Sequence, residues 1–301
     1  MTDNRMALTI LGGWLGAGKT TWLRHRLHTG LAAHVIVNEA AGVAVDDALL
    51  SRASGVTVLA GGCACCDGRA DLAEALRHLA DRRSAGEALS EIILETSGLA
   101  DPAAIIAALT DDPVLVRHFR VTGTTVLVDA ANGAAELAVG ALAIRQIRAA
   151  SALILTKTDT APPLATARLA ATLSLLNPGA TLSAAIAGLP IPLPALPAEP
   201  LPLAADLREV TAVTLPLPAG ADWATLSLWL SAVLHVHGDR LIRLKGVVRT
   251  PAGRLLIQTV RRSVQPPEIL PEGVGTDDVL AVIGESPDAA ALQVSLARFL
   301  D

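Results

Sequence analysis

Three groups of residues in this 301-residue chain have types and spacings that can do chemistry. Gly13-Trp14-Leu15-Gly16-Ala17-Gly18-Lys19-Thr20 follows an apolar run and opens a helix-forming one, the setting a phosphate loop requires. Glycines at 13, 16 and 18, with the small Ala17 among them, let successive backbone N–H groups turn inward around phosphates, and a helix opening adds partial positive charge. Lys19 reaches the β- and γ-phosphates, the Thr20 hydroxyl ligates Mg²⁺, and Thr21 completes the nucleotide contacts of that first turn. Such a loop needs an acid on a neighbouring strand for the Mg²⁺. Ile92-Ile93-Leu94-Glu95-Thr96-Ser97-Gly98 supplies Glu95 at a strand end, and Gly98 can bring its N–H to a γ-phosphate.

The second group is Leu153-Ile154-Leu155-Thr156-Lys157-Thr158-Asp159. Asp159 can accept two hydrogen bonds from guanine N1–H and N2–H₂, and the Lys157 stem can lie along the purine face. Adenine offers no such donor pair, so a site of this kind rejects it by roughly 10⁴-fold or more. Taken alone, Thr-Lys-Thr-Asp is an ordinary surface turn. Its place after the phosphate motifs, at the end of a late strand, makes it a base reader for GTP and GDP.

The third group is Cys63, Cys65 and Cys66, all the cysteines of the chain, within four positions of Gly62-Cys63-Ala64-Cys65-Cys66. That spacing suits neither a disulfide framework nor an oxidising compartment. Thiolates favour soft ions such as zinc or copper(I), and a tetrahedral site needs one further ligand, for which Glu39 and His118 are candidates. A redox role as vicinal thiols is the alternative.

Positioning these groups requires strands that end where the motifs begin. Apolar runs at Ala7–Leu11, Ala33–Val37, Glu91–Leu94, Val121–Val128, Ala152–Leu155 and Thr181–Ala185 alternate with helix-forming stretches at Thr20–His28, Asp71–Arg82, Glu136–Ala149 and Leu164–Leu176. The alternation predicts an α/β fold with a mostly parallel sheet. Six prolines within Gly188–Pro202 then read as a linker. Beyond it, strands at Glu209–Leu215, Leu241–Arg249, Leu255–Val260 and Val279–Ile283 with helices at Trp223–Leu234 and Asp288–Phe299 predict a smaller α+β domain. The expected division is 1–187, a P-loop nucleotide domain; 188–205, the linker; and 206–301, the C-terminal domain.

A net charge of −5 gives no basic field for nucleic acid, and the Arg240–Arg249 stretch reads as a solvated strand face. Apolar runs stop short of the roughly 18 to 20 residues a bilayer span needs. The apolar start at Ala7–Leu15 lacks a basic flank and a cleavage site and runs into the phosphate loop, so the expected location is the cytoplasm.

The combination of phosphate loop, Glu-Thr-Ser-Gly, Cys-x-Cys-Cys and Thr-Lys-Thr-Asp resembles the CobW family, related to the hydrogenase and urease maturation GTPases. The resemblance extends through Asn38-Glu39, Val45-Asp46-Asp47, Val128-Asp129-Ala130, Gln146, Asn177-Pro178 and Arg243-Leu244-Lys245-Gly246. It implies a P-loop GTPase domain, a CobW C-terminal-like domain, and zinc or cobalt held at the Cys-x-Cys-Cys loop for delivery to a client metalloprotein. Two departures stand out. The family commonly has Asn-Glu-Phe-Gly-Glu where this chain has Asn38-Glu39-Ala40-Ala41-Gly42, and no histidine-rich stretch is present. Leu99 also stands where the Ras-like pattern has its water-orienting Gln, which predicts slow turnover. Rival readings are a nucleotide-gated metal sensor, which delivers nothing, and a small-molecule P-loop kinase, against which the guanine-reading turn argues.

Overall fold

The computed structural model describes residues 4–38, 53–59, 64, 68–202, 210–217, 222–238, 240–250, 253–260, 262–270, 278–285 and 287–300. Its contacts divide the chain into two compact units, Arg5–Ala205 and a second that groups the residues from Asp206 onward with Met1–Asn4. Among the described residues no helix is long and apolar enough to cross a membrane.

The first unit opens with β1 (Met6–Gly13) and α1 (Lys19–His28), followed by β2 (His34–Asn38), β3 (Gly55–Leu59) and α2 (Arg69–Ser84). Next come β4 (Glu91–Glu95), α3 (Pro102–Asp111), α4 (Pro113–His118) and β5 (Phe119–Asp129). The unit continues through α5 (Gly133–Val139), α6 (Ala141–Ala149), β6 (Ala152–Thr156), α7 (Pro163–Leu176), β7 (Thr181–Ile186) and β8 (Leu189–Ile191). Together they build one eight-stranded sheet in the order β3-β2-β4-β1-β5-β6-β7-β8. The strands from β1 to β7 pair in parallel, and only β8 runs antiparallel. Every residue of β2 is buried, as are four consecutive residues in each of β4 and β6, so both sheet faces are covered. Because β1 sits between β4 and β5, the chain reverses its direction of travel across the sheet at β1. The carboxyl ends of parallel strands at such a reversal form the crevice where α/β proteins bind ligands.

The sequence-expected elements of this unit all form, with additions. The expected helix Glu136–Ala149 is two helices, because Gly140 is extended (φ −123°, ψ 106°) and ends α5 before α6 begins. Two further helices, α3 and α4, start at Asp101-Pro102 and Asp112-Pro113, where Asp101 accepts the Ala103 N–H, Asp112 accepts the Val114 and Leu115 N–H groups, and each Pro takes a first-turn position that has no N–H bond to lose. The expected linker is also not wholly a linker. Leu189–Ile191 returns along β7 through a two-residue turn in which Ala187 (φ 49°) and Gly188 (φ 90°) both lie in the left-handed region. Pro190 is tolerated there because β8 is the sheet edge. Further on, Leu201 N donates to Thr172 Oγ1 (2.8 Å) and Arg168 Nε to Glu199 O (3.3 Å), so the proline segment is tied to α7.

The second unit holds β9 (Val210–Pro216), α8 (Trp223–His237), β10 (Leu241–Thr250), β11 (Gly253–Val260), β12 (Ser263–Val264), β13 (Glu268–Leu270), β14 (Val279–Glu285) and α9 (Ala289–Leu300). Its antiparallel sheet has the order β12-β11-β10-β14-β9, with β13 also on β11. Trp229, Leu226, Leu230 and Leu234 of α8 and Leu292 and Leu296 of α9 pack into one aliphatic core with Leu215, Leu244, Val248 and Val282 of the strands. Asp222 caps α8 by accepting from Thr225 N.

Candidate functional site

The phosphate-loop residues occupy the crevice edge. Gly13 ends β1 at φ 130°, and a Cβ there would lie 2.4 Å from Leu127 O, so only glycine lets β1 and β5 run this close. Gly16 (φ 72°) and Gly18 (φ 85°) take left-handed conformations that turn the loop into α1. Lys19 Nζ donates to Gly13 O and Trp14 O, both at 2.9 Å, which stretches the side chain back across its own loop. Thr20 Oγ1 donates to Glu95 Oε1 at 2.6 Å. Glu95 is the last residue of β4 and only 5% exposed, so its carboxylate meets the first turn of α1 from a buried strand end. Leu15, Gly16, Gly18, Lys19, Thr20, Thr21, Glu95, Gly98, Leu99 and Lys157 contribute to the lining of a cavity of about 540 Å³.

Gly98 contacts this loop more tightly than the sequence alone suggests. A Cβ on it would sit 2.5 Å from Leu15 N and 2.9 Å from Leu15 Cα, so its backbone lies against the phosphate loop itself. From the other side Gln146, fully buried on α6, donates through Nε2 to Gly98 O (3.1 Å) and Ala100 O (2.7 Å). The segment after Glu95 is thereby clamped between α6 and the loop.

The Thr-Lys-Thr-Asp turn leaves the end of β6, next to β5. Thr156 Oγ1 donates to Ala17 O at 2.8 Å, tying this turn to the phosphate loop. Lys157 adopts φ 55° and its ammonium pairs with Asp129 at 2.8 Å. Asp159 is exposed. Asp129 also accepts from Ala131 N (2.8 Å), Asn132 N (3.3 Å) and Asn132 Nδ2 (3.0 Å). Burial pushes the Asp129 carboxyl upward, but hydrogen bonds from Lys157, Asn132 and Ala131 outweigh it and hold the group below the usual carboxylate range.

Cys63, Cys65, Cys66 and Glu39 lie outside the described residues, and among those described no group of three or more His, Cys, Asp or Glu side chains forms a metal site. Ala64, between Cys63 and Cys65, is described and fully buried, and its N–H donates to Asn38 Oδ1 at 2.9 Å. Asn38 ends β2, and its neighbour Val37 is in register with Glu95 on β4. His118, the other ligand candidate, is the last residue of α4, immediately before β5.

Sequence reasoning gave no role to Asn38, Asp129 or Gln146. A polar residue closing an aliphatic strand is the signal available for the first two; nothing local to α6 distinguishes Gln146 from a solvent-facing glutamine.

Residues 7–184 match the nucleotide-binding domain described as CobW/HypB/UreG. The chain belongs to that family. Residues 210–300 match the cobalamin synthesis protein CobW C-terminal domain. Among curated relatives, the chain is 38% identical over 162 residues to the zinc chaperone YjiA of Escherichia coli strain K12, covering 52% of this chain and 51% of that protein. It is 30% identical over 122 residues to zinc-regulated GTPase metalloprotein activator 1 of Dictyostelium discoideum, covering 35% of this chain and 25% of that one. The chain thus spans about half the length, or less, of these relatives. Among solved structures it is similar to a zinc-bound triple mutant of the YjiA GTPase, with TM-score 0.64 and 25% identity over 99% of this chain and 100% of that one.

Proposed function

We propose that this chain is a GTPase that carries a transition metal, zinc or cobalt, on Cys63, Cys65 and Cys66, with Glu39 as a further ligand, and delivers it to a client metalloprotein in the cytoplasm. Residues 1–187 serve as the GTPase domain, 188–205 as the connection, and 206–301 as the CobW C-terminal-like domain. The likeness to proteins named zinc chaperone and zinc-regulated GTPase supports this reading. The observation that carries it is the hydrogen bond from Ala64 N to Asn38 Oδ1, which fastens the middle of the cysteine motif to β2, the strand beside the one that ends in Glu95.

In this reading Gly13, Gly16, Ala17, Gly18, Lys19, Thr20 and Thr21 cradle the phosphates, with the Gly98 N–H near the γ-phosphate. Lys157 and Asp159 read guanine, while Thr156 ties their turn to the loop. The donor set fits Mg²⁺, since Thr20 Oγ1 and Glu95 Oε1 are two hard oxygens 2.6 Å apart at the cavity wall. When bound, that ion supplies charge neutralisation on the phosphate oxygens. Lys19 leaves the loop carbonyls it now bonds and turns its ammonium to the phosphates, a local exchange of one set of oxygen acceptors for another. Leu99, 57% exposed at the cavity, has no group with which to orient water, and turnover is accordingly slow.

Nucleotide-dependent metal affinity tests the proposal. Zinc and cobalt are titrated against a chelator in the presence of a non-hydrolysable GTP analogue and of GDP, with Cys65→Ser alongside. The expected coupling is about 5- to 150-fold, the usual range for linked sites, and by reciprocity metal tightens the GTP analogue by the same factor. Equal metal affinity in both states, or full binding by Cys65→Ser, removes the chaperone mechanism. Phosphate release from GTP but not ATP, without a phosphorylated metabolite, separates the GTPase from a kinase.

A further inference from the structure

A lysine stem that lies along a purine face must be held there, because an unrestrained Lys loses more rotamer entropy on ordering than almost any side chain. Lys157 is held in this way. Its backbone turns through φ 55°, a left-handed conformation uncommon outside glycine, and Thr160 N and Oγ1 both donate to Lys157 O, at 3.1 and 2.9 Å, to close the turn. Its ammonium then reaches sideways to Asp129 on the neighbouring strand, where Asp129 and Thr156 are in register.

The two ends of this ion pair differ. Lys157 is 43% exposed and lines the phosphate cavity, whereas Asp129 is 4% exposed. Three donors besides Lys157, from Ala131 and Asn132, fix the Asp129 carboxylate in place. An exposed pair of mobile side chains contributes little, but here one partner is immobile and largely desolvated, so the lysine comes to the carboxylate and not the reverse. The stem between backbone and ammonium is stretched over the cavity edge before any ligand arrives, which is preorganisation in the ordinary sense.

We infer that Asp129 is a positioning residue for the nucleotide base, acting through Lys157. The inference rests on the guanine reading above and deepens it by assigning a fixed partner to the side chain that covers the purine. With Asp129 neutral, the ammonium is released to solvent and only a fraction of molecules present the stem in place, which weakens apparent affinity by that fraction.

The test is a double-mutant cycle on GDP affinity in the full chain, using Asp129→Asn, Lys157→Met and the double variant. Asparagine keeps an oxygen for the Ala131 and Asn132 backbone N–H groups and gives up the one that accepts from Lys157 and from Asn132 Nδ2, whereas methionine keeps an apolar stem and removes the ion pair alone. Each single variant is expected to bind GDP about 10-fold more weakly, in line with loss of a charged hydrogen bond. The double variant is expected to be no more than about 2- to 3-fold worse than either single one, since both remove the same contact. A double variant that loses the product of the two effects, or an Asp129→Asn protein with wild-type GDP affinity, overturns the inference. Should Asp129→Asn fail to fold, wild-type affinity in Lys157→Met overturns it equally. Equal wild-type affinity for GDP and ADP is a different failure, since it removes the guanine reading itself.

Discussion

Replacing Gly98 by alanine adds one methyl group at a backbone position whose φ alanine accepts, so the whole effect is steric. The new Cβ lies 2.5 Å from Leu15 N, 2.7 Å from Leu15 Cγ and 2.9 Å from Leu15 Cα. Ordinary carbon contacts are about 3.5 to 4.0 Å, so the two backbones must part by about 1 Å. The leucine side chain can turn away, but the loop nitrogen and Cα cannot. Gly98 cannot retreat either, because Gln146 Nε2 holds its carbonyl and that of Ala100 from behind. The displacement therefore falls on the phosphate loop, whose Lys19 and Thr20 lie four and five residues further along. Overpacking of this kind costs about 1 to 3 kcal/mol of stability. A displacement of 1 Å in a positioned site costs up to about 100-fold in rate. The assay pairs a thermal melt with GDP affinity and with phosphate release at saturating GTP. Gly16→Ala is the comparison, since a Cβ there meets nothing within 4 Å and only its φ of 72° is strained. Gly98→Ala with wild-type melting, GDP affinity and turnover would show that the loop yields freely and that the clamp is not rigid.

Asp159→Asn is expected to abolish the preference for guanine over adenine nucleotides while leaving the thermal midpoint unchanged, because the side chain is exposed; competition of GDP and ADP for one fluorescent nucleotide reads it. Lys19→Ala should lose most nucleotide affinity, and wild-type GTP turnover in that variant would locate the activity elsewhere. His34, buried on β2 with Nε2 2.8 Å from Thr57 Oγ1, has its pKa lowered by burial first and by Arg82 second, with Glu87 opposing. The unfolded chain therefore takes up a proton near pH 6.5 that the folded chain resists. Stability contributed by this group is complete above that pH and is lost as pH falls below it, so urea midpoints should decline as pH drops below about 6.5, and His34→Gln should remove that part of the slope.

Strand and helix placement in the first unit was legible because each buried parallel strand reads as a short aliphatic run and each motif sits at its end, as with Ile92–Leu94 before Glu95. α3 and α4 went unread although both carry a start signal, Asp101-Pro102 and Asp112-Pro113. Their apolar runs, Ile105-Ile106 and Val114-Leu115-Val116, are short enough to pass for loop or strand. The β7–β8 hairpin was hidden for a different reason. Its turn is Ala187-Gly188, and alanine in a left-handed conformation is not a turn signal. Glycine at 188 has a tertiary cause as well, since a Cβ there would lie 2.3 Å from His25 Cβ on α1.

The contacts that join the motifs were not legible, and their sequence separations show why. Thr156 reaches Ala17 across 139 positions, Gln146 reaches Ala100 across 46, and Ala64 reaches Asn38 across 26. No local pattern encodes such pairs, because each is a donor on one element meeting a backbone or amide oxygen on another only after the sheet has formed. They run in a physical sequence: the Thr156–Asp159 turn is tied to the phosphate loop, the loop lies against Gly98, and Glu95, three residues before Gly98, accepts from Thr20 at the end of β4. β4 is in turn paired through Glu95 and Val37 with β2, whose last residue holds Ala64 between two of the three cysteines. Under the proposed function, a nucleotide that draws Thr20 away from Glu95 acts at the end of the strand beside the one that carries Asn38. Intermediacy alone is not coupling. Asn38 and Glu95 end adjacent strands, so under the proposed function a variant that cuts the bond from Ala64 N to Asn38, such as Asn38→Ala, should leave GDP affinity intact while reducing the dependence of metal affinity on the nucleotide.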